Sequence, residues 1–390
     1  MRISSFSLPT EKLLSAVLLC LTTFGALAAE DVPTITVSKG DQINLALSSL
    51  NGGEGGTATS ILQKDLTLSG LFKLGSANAT YTVKGTAEGG SLQGLVVDHS
   101  GGTVLSKRYT GPATHTAHEF ANDIIETLTG NKGLAGSKIA FIATQSGRKE
   151  VYVADYDGSH LRQLTHDNTI SVHPSLSRDG SRLAYTGYQS GYADVYLIDL
   201  NSGARNKIVN FPGTNSGAAF SPDGERIALT ISKDGNPELY SVSKDGSGAR
   251  RLTRTRGVES SPTWSPDGSE IIYSFDGASG PQLYQISSGG GAGRPISTGY
   301  GYCTEPSWSP DGKKVAFNVR SGGEFQVVVL ELATGSKRTV ATGEDPTWGP
   351  DSRHLMFTDG GGLYMVDAIS GRKNKILDGL GKITEPSWSQ

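Results

Sequence analysis

Glu305-Pro-Ser-Trp-Ser-Pro-Asp-Gly312 is the fullest copy of a phrase that recurs along this chain. Upstream it reads His173-Pro-Ser-Leu-Ser-Arg-Asp-Gly180, Gly217-Ala-Ala-Phe-Ser-Pro-Asp-Gly224 and Ser261-Pro-Thr-Trp-Ser-Pro-Asp-Gly268. Downstream it reads Asp345-Pro-Thr-Trp-Gly-Pro-Asp-Ser352, and then Glu385-Pro-Ser-Trp-Ser-Gln390, cut short by the chain end. Asp179, Asp223, Asp267 and Asp311 follow one another at 44 residues, Asp351 comes 40 later, and Trp348 to Trp388 is again 40. A period of this size carrying strand-like segments signals a β-propeller or a solenoid.

Turn chemistry divides each period into strands. In Ser-Pro-Asp-Gly the proline fixes φ, the aspartate bonds local backbone and the glycine tolerates the exit geometry, which suits a type I turn between antiparallel strands. The runs that follow, such as Arg182-Leu-Ala-Tyr-Thr186 and Lys314-Val-Ala-Phe-Asn318, are rich in β-branched and aromatic residues that favour strands. A glycine-containing loop leads to a third run, such as Val195-Tyr-Leu-Ile-Asp199, and a second turn to a short polar strand near Arg251-Leu-Thr253. Four antiparallel strands per unit make one propeller blade.

The ends of the array predict a closed ring. It starts at Lys138-Ile-Ala-Phe-Ile142, which matches the second strand of a unit, and stops at Glu385-Pro-Ser-Trp-Ser389, which matches a first strand. The two fragments complete one blade, giving six, and closure removes the open sheet edges of a linear array. The expected fold is therefore a small N-terminal α/β domain followed by an all-β six-bladed propeller, closed by pairing of the last strand with the first blade.

Composition agrees. Of 390 residues 52 are glycine, above the average of about 7%, as tight turns in every blade require. With 35 basic and 38 acidic side chains the formal net charge is −3, so no basic surface for nucleic acid is implied. Residues 1–28 read as a signal peptide: Arg2 and Lys12 precede an apolar stretch, and Ala26-Leu-Ala28 fits a small-residue cleavage pattern. The stretch is shorter than the roughly 20 residues a spanning helix needs. Its removal leaves Cys303 alone, without a disulfide partner, and moves the charge to −4.

Residues 29–136 form a unit without the repeat, ending in a linker at 131–136, and residues 137–390 form the propeller. Helices are expected over 59–70, with Ile61, Leu62 and Leu66 on one side, and over 117–130, with Phe120, Ile124, Ile125 and Leu128 on one side. Gly70 and Gly130 suit their C-terminal caps. Strands are expected around 80–84, 91–98 and 103–109, and the segment 50–56 reads as a flexible loop.

The order of these parts resembles the TolB family, the periplasmic component of the Tol-Pal envelope system. The resemblance is carried by the signal peptide, by Leu66-Thr-Leu-Ser-Gly-Leu-Phe72, by the helix ending in Leu128-Thr-Gly-Asn-Lys-Gly133, and by Lys138-Ile-Ala-Phe141 with the six repeats. It implies a non-enzymatic periplasmic adaptor that supports outer-membrane integrity and envelope constriction at cell division. The propeller mouth would bind the peptidoglycan-associated lipoprotein Pal, and the N-terminal segment would contact TolA. It further implies that part of the Pal surface lies in the loops entering the third and fourth blades. The family's Phe-Pro-Arg-His-Asn-Gly-Ala-Pro-Ala-Phe meets Phe211-Pro-Gly-Thr-Asn-Ser-Gly-Ala-Ala-Phe220 here, so Thr214 stands at the contacting histidine and Gly217 at the contacting alanine. Ser260-Ser-Pro-Thr-Trp264 stands for Thr-Glu-Pro-Thr-Trp, and residues 31–42 lack the family's Arg-Pro-Ile continuation. The expected partner surface comprises Thr214, Asn215, Gly217, Ser260, Ser261 and Glu305, with His173, Asp345 and Glu385 at equivalent places in their blades. No cofactor, nucleic acid or membrane span is expected, and the chain is expected to be a monomer by itself.

Glu305, Asp345 and Glu385 could hold a hard cation by oxygen ligation, against the plainer reading of a solvated rim that fits a partner. The four tryptophans of the repeat favour blade packing over ligand stacking. His115 and His118 have i, i+3 spacing but no acidic or cysteine partner defined by sequence, so zinc is not expected. His160 and His166 read as solvated, and Cys303 as a small packed residue. The competing classes are a secreted propeller binding a glycan or peptide, and a propeller-based lyase or hydrolase accessory. Against the latter the sequence has no Gly-x-Ser-x-Gly and only His173 at the mouth.

Overall fold

A computed structural model describes residues 42–75 and 77–390. The signal peptide at 1–28 and all of segment 31–42 but Gln42 lie outside the described residues. The first part is a five-stranded sheet in the order β2-β1-β3-β4-β5. Strand β1 (Ile43–Leu47) runs parallel to β2 (Phe72–Leu74) and to β3 (Tyr81–Glu88), while β4 (Ser91–Asp98) and β5 (Thr103–Thr110) continue antiparallel. Helices α1 (Gly55–Leu68) and α2 (Ala113–Thr129) pack on it. Leu45, Val83, Leu92 and Val96 from the strands meet Leu62, Leu66, Phe120 and Ile124 from the helices in one buried cluster.

The three expected strands are present as β3, β4 and β5. Helix α2 starts at Ala113, earlier than expected, and stops at Gly130, whose φ of +69° places it in the left-handed region. Helix α1 also starts early, at Gly55, and no side chain caps it. Its first turn is held by tertiary packing and by Thr59, whose hydroxyl donates to Gly55 O and accepts from Leu50 N. Segment 50–56 is accordingly not the flexible loop expected. A Cβ on Gly55 would lie 2.2 Å from Leu50 O, so glycine here permits a close backbone crossing rather than mobility. Residues 131–136 are likewise anchored, because the Asn122 amide donates to Ala135 O at 2.9 Å and accepts from Ala135 N at 3.1 Å.

From Lys138 onward the chain forms six four-stranded antiparallel sheets, as the repeat predicted. Five are contiguous, at 171–209, 215–251, 258–295, 303–342 and 344–377. The sixth, counted here as the first blade, takes its innermost strand from the chain end: Ile383–Trp388 pairs with Lys138–Ala143, Ile383 facing Ala143 and Trp388 facing Ile139. Ser389 secures the joint, its N–H donating to Lys138 O and its hydroxyl accepting from Lys138 N. Trp264, Trp308, Trp348 and Trp388 are all buried between sheets.

In the Ser-Pro-Asp-Gly turns the aspartate carboxylate organises the backbone. Asp267 Oδ1 accepts from Ser265 Oγ at 2.6 Å and Ser269 N at 3.0 Å, and these bonds hold its acid strength up, with a pKa lowered to about 2. Asp179, Asp223 and Asp311 repeat the pattern.

Candidate functional site

The innermost strand of every blade is interrupted at the same residue. Pairing with the second strand runs from Val172 opposite Thr186 to Ser175 opposite Ala184, so His173 and Pro174 together face Tyr185. The same two-against-one bulge falls at 217–218, 261–262, 305–306, 345–346 and 385–386. Such an insertion bends the strand and re-aims the side chain. Its first residue is left-handed each time: φ is +51° at His173, +66° at Gly217, +51° at Ser261, +50° at Glu305, +57° at Asp345 and +57° at Glu385. Proline next in the chain disfavours the right-handed helical region for the residue before it. A non-glycine residue pays on the order of 1–2 kcal/mol for the left-handed one.

These residues were expected just ahead of the strands; they lie within them, and all six line one central channel of about 260 Å³. Asp345 Oδ2 accepts the N–H of Glu385 at 2.9 Å, and Glu385 Oε2 accepts that of His173 at 2.5 Å. Thr186 Oγ1 accepts the N–H of Gly217 at 3.3 Å. Glu385, His173 and Gly217 are thus gripped by the preceding blade. Glu305 turns the other way and accepts from Ser261 Oγ at 2.9 Å. A second ring lies one layer deeper: Ser387 accepts from Leu176 N, Thr263 from Trp308 N and Ser307 from Trp348 N, at 3.0–3.2 Å.

The carboxylates of the mouth are electrostatically tense. Burial, then the charges of Asp345 and Glu385, push Glu305 up to about 7. Burial, then Glu385 and Glu344, push Asp345 up to about 6 against the pull of the Glu385 N–H. Glu385 has a cation within reach, Lys149 Nζ at 3.4 Å. Among the described residues no three His, Cys, Asp or Glu side chains are grouped to hold a metal; the three carboxylates are each turned to a neighbouring N–H or hydroxyl.

Of the expected partner residues, His173, Gly217, Ser260, Ser261, Glu305, Asp345 and Glu385 share the channel lining. Thr214 is exposed outside it, tied by its backbone to Ser232. Asn215 is fully buried: its amide donates to Ala193 O and Phe211 O and accepts from Phe211 N, so the side chain shapes the loop from within. Sequence reasoning passed over two exposed apolar residues of the second blade. Tyr192 is 71% exposed and Ile170 47%, and Ile170 O accepts the N–H of Tyr188. Ile170 and Tyr192, large apolar residues in otherwise polar loops, were the available signal. Elsewhere Cys303 is buried against Thr298. His118, for which sequence defined no acidic partner, meets Asp65 Oδ2 at 2.7 Å.

A family model described as the TolB beta propeller domain matches residues 125–390, more than half of the chain. A protein TolB homolog of Chlorobium chlorochromatii is 42% identical over 93 residues, 23% of this chain and 21% of that one. A Tol-Pal system protein TolB of Geobacter sulfurreducens is 41% identical over 80 residues, 20% and 18% respectively. The chain thus spans about a fifth of the length of these relatives. The crystal structure of TolB from Acinetobacter baumannii superposes with a TM-score of 0.80 at 24% identity, covering 90% of this chain and 97% of that one. A putative TolB from Agrobacterium tumefaciens gives 0.51 at 19% identity over 63% and 90%. At these identities the structural likeness speaks to the fold alone.

Proposed function

The chain belongs to the TolB β-propeller family, and on that premise we propose that it is a non-enzymatic periplasmic adaptor of the Tol-Pal system. Its channel mouth binds the lipoprotein Pal, and through that contact it supports outer-membrane integrity and envelope constriction at division. The observation that carries the reading is the sixfold ring of left-handed bulge residues. Backbone strain recurring at one position of each blade, and tied to the preceding blade at Glu385, His173 and Gly217, favours a preformed recognition rim. Exposed Tyr192 and Ile170 of the second blade have the character of interface anchors.

The accompanying division of labour is part of the proposal: residues 1–28 are removed, 29–136 form the α/β unit, and 137–390 form the propeller. The segment at 31–42 is the candidate contact for TolA. No helix among the described residues is long and apolar enough to cross a membrane.

Calorimetric titration of residues 29–390 with the soluble domain of Pal from the same organism tests this. One-to-one binding that weakens at least tenfold in Ser260→Arg, with an unchanged melting temperature, is expected. Thr214→Arg and Tyr192→Ala locate the outer edge of the surface. Absence of binding heat at several temperatures overturns the Pal assignment and favours a propeller for a glycan or peptide.

A further inference from the structure

A second titratable device lies behind the mouth, in the seam between the third and fourth blades. Glu238 opens the third strand of the third blade, Glu238–Ser243, and Glu259 lies near the start of the innermost strand of the fourth, Val258–Trp264. Both are 0% exposed. Glu238 Oε1 accepts from Arg251 Nη2 at 2.7 Å and from Thr255 N at 2.8 Å, whereas Glu259 Oε1 accepts only from Thr255 Oγ1, at 2.6 Å. The remaining oxygen of each, Oε2, is buried without a hydrogen-bond partner. The two carboxyls converge on Thr255, Glu238 through that residue's N–H and Glu259 through its hydroxyl.

The charges around them do not balance. Among the described residues Arg251 is the one cation paired with either carboxylate, and it is shared with Asp234, 3.7 Å from Nη1. The other facing groups are tyrosines: Tyr273 on the fourth blade senses both carboxylates and Tyr284, and Tyr240 on the third senses Glu238. Arg254 and Arg256 flank Thr255 but are exposed. Two buried carboxylates that converge on one threonine, each with an orphan oxygen, and with a fraction of one guanidinium between them cannot both be ionised without cost.

We propose that Glu238 and Glu259 hold one proton between them, forming a catch that joins the third and fourth blades when protonated and forces them apart when the proton leaves. The affected edge is 258–261, which carries exposed Val258 and the channel residues Ser260 and Ser261. At this edge the blades also meet where Thr230 Oγ1 donates to Glu259 O and Glu259 N donates to Pro237 O at 3.4 Å. Burial, with the Glu238 charge adding to it, holds Glu259 up to about 7, so the catch operates near neutrality. The inference does not depend on which partner the mouth receives.

The sign follows from linkage. The folded chain keeps a proton that the unfolded chain has released, so stability is lost as pH rises from the ordinary glutamate range through about 7. Glu259→Gln replaces the shared proton with an amide donor and keeps an acceptor for Thr255. Melting temperatures of the purified protein and of this variant, at fixed ionic strength, are expected to coincide at about pH 5. By about pH 8.5 the unmodified protein should melt several degrees lower. A difference constant across that range overturns the proposal. Should the variant not fold, amide exchange of the unmodified protein decides. Protection at 258–261, corrected for the intrinsic rate, must fall with rising pH more than in the other five innermost strands; equal protection overturns the catch.

Discussion

The hydroxyl of Tyr156, in the first blade, donates to Asp65 Oδ1 on α1 at 2.6 Å, and through this carboxylate the α/β part is bonded to the propeller. Asp65 is 2% exposed, and its other oxygen meets His118 of α2. Lys64 pairs with Asp157 at 2.5 Å beside it, and Arg372 donates to Gly70 O at 2.7 Å. Replacing Asp65 by alanine strands a buried phenol and a histidine together. A loss of about 3 kcal/mol is expected from urea unfolding, in the range for breaking a buried charged pair. Tyr156→Phe, which removes one donor, should cost about 1 kcal/mol.

His118 makes this junction sensitive to acid. Burial lowers its proton affinity, but the Asp65 bond and charge outweigh burial and raise the pKa above the ordinary value. A raised histidine contributes stability that is fully present below about pH 6.5 and lost as pH rises through the folded value. The stability difference between the unmodified protein and His118→Gln should therefore be largest on the acid side and shrink toward alkaline pH. A pH-independent difference would exclude a charged His118.

How far the sequence could be read divides along the same junction. The propeller was legible because its determinants are local: turn, strand and tryptophan recur within 44 residues. Strands β1 and β2 were not, being only five and three residues long and paired in parallel across an intervening helix. The start of α1 was hidden by Gly55 and Gly56, which read as loop by propensity yet are helical by packing. In the site, the equivalence of His173, Ser261, Glu305, Asp345 and Glu385 was readable, but their left-handed backbone was not. None of these types demands positive φ, and Gly217 was the sole residue suggesting it. The Asp65–Tyr156 bond spans 91 residues with no covarying signal in a single chain.

Strain at the bulges should be measurable where the side chain has no structural duty. His173 is exposed, with φ of +51°. Glycine there relieves the left-handed cost but adds unfolded-state entropy, for an expected net gain of about 0.5–1 kcal/mol. Chemical denaturation of His173→Gly checks this; a loss of stability would mean that the ring holds the residue by more than its backbone.

The mouth should also lose stability on the alkaline side. Glu305 and Asp345 titrate at about 7 and about 6 in the folded chain, above their unfolded values, so their contribution falls as pH rises through that window. Glu305→Gln should raise the melting temperature at about pH 8 and leave it nearly unchanged at about pH 5. Both carboxyls are partly exposed, so the gain is expected to be modest.

The joint between Ile383–Trp388 and Lys138–Ala143 places the innermost strand of the first blade at the far end of the propeller sequence. The Lys138–Ala143 edge can be covered by its native partner only once the sequence of the five later blades has been made. An unpaired edge of this kind is a template for the wrong neighbour. The strand that shuts the ring is the last of the propeller strands along the chain, so that edge stays open until the whole propeller sequence is present.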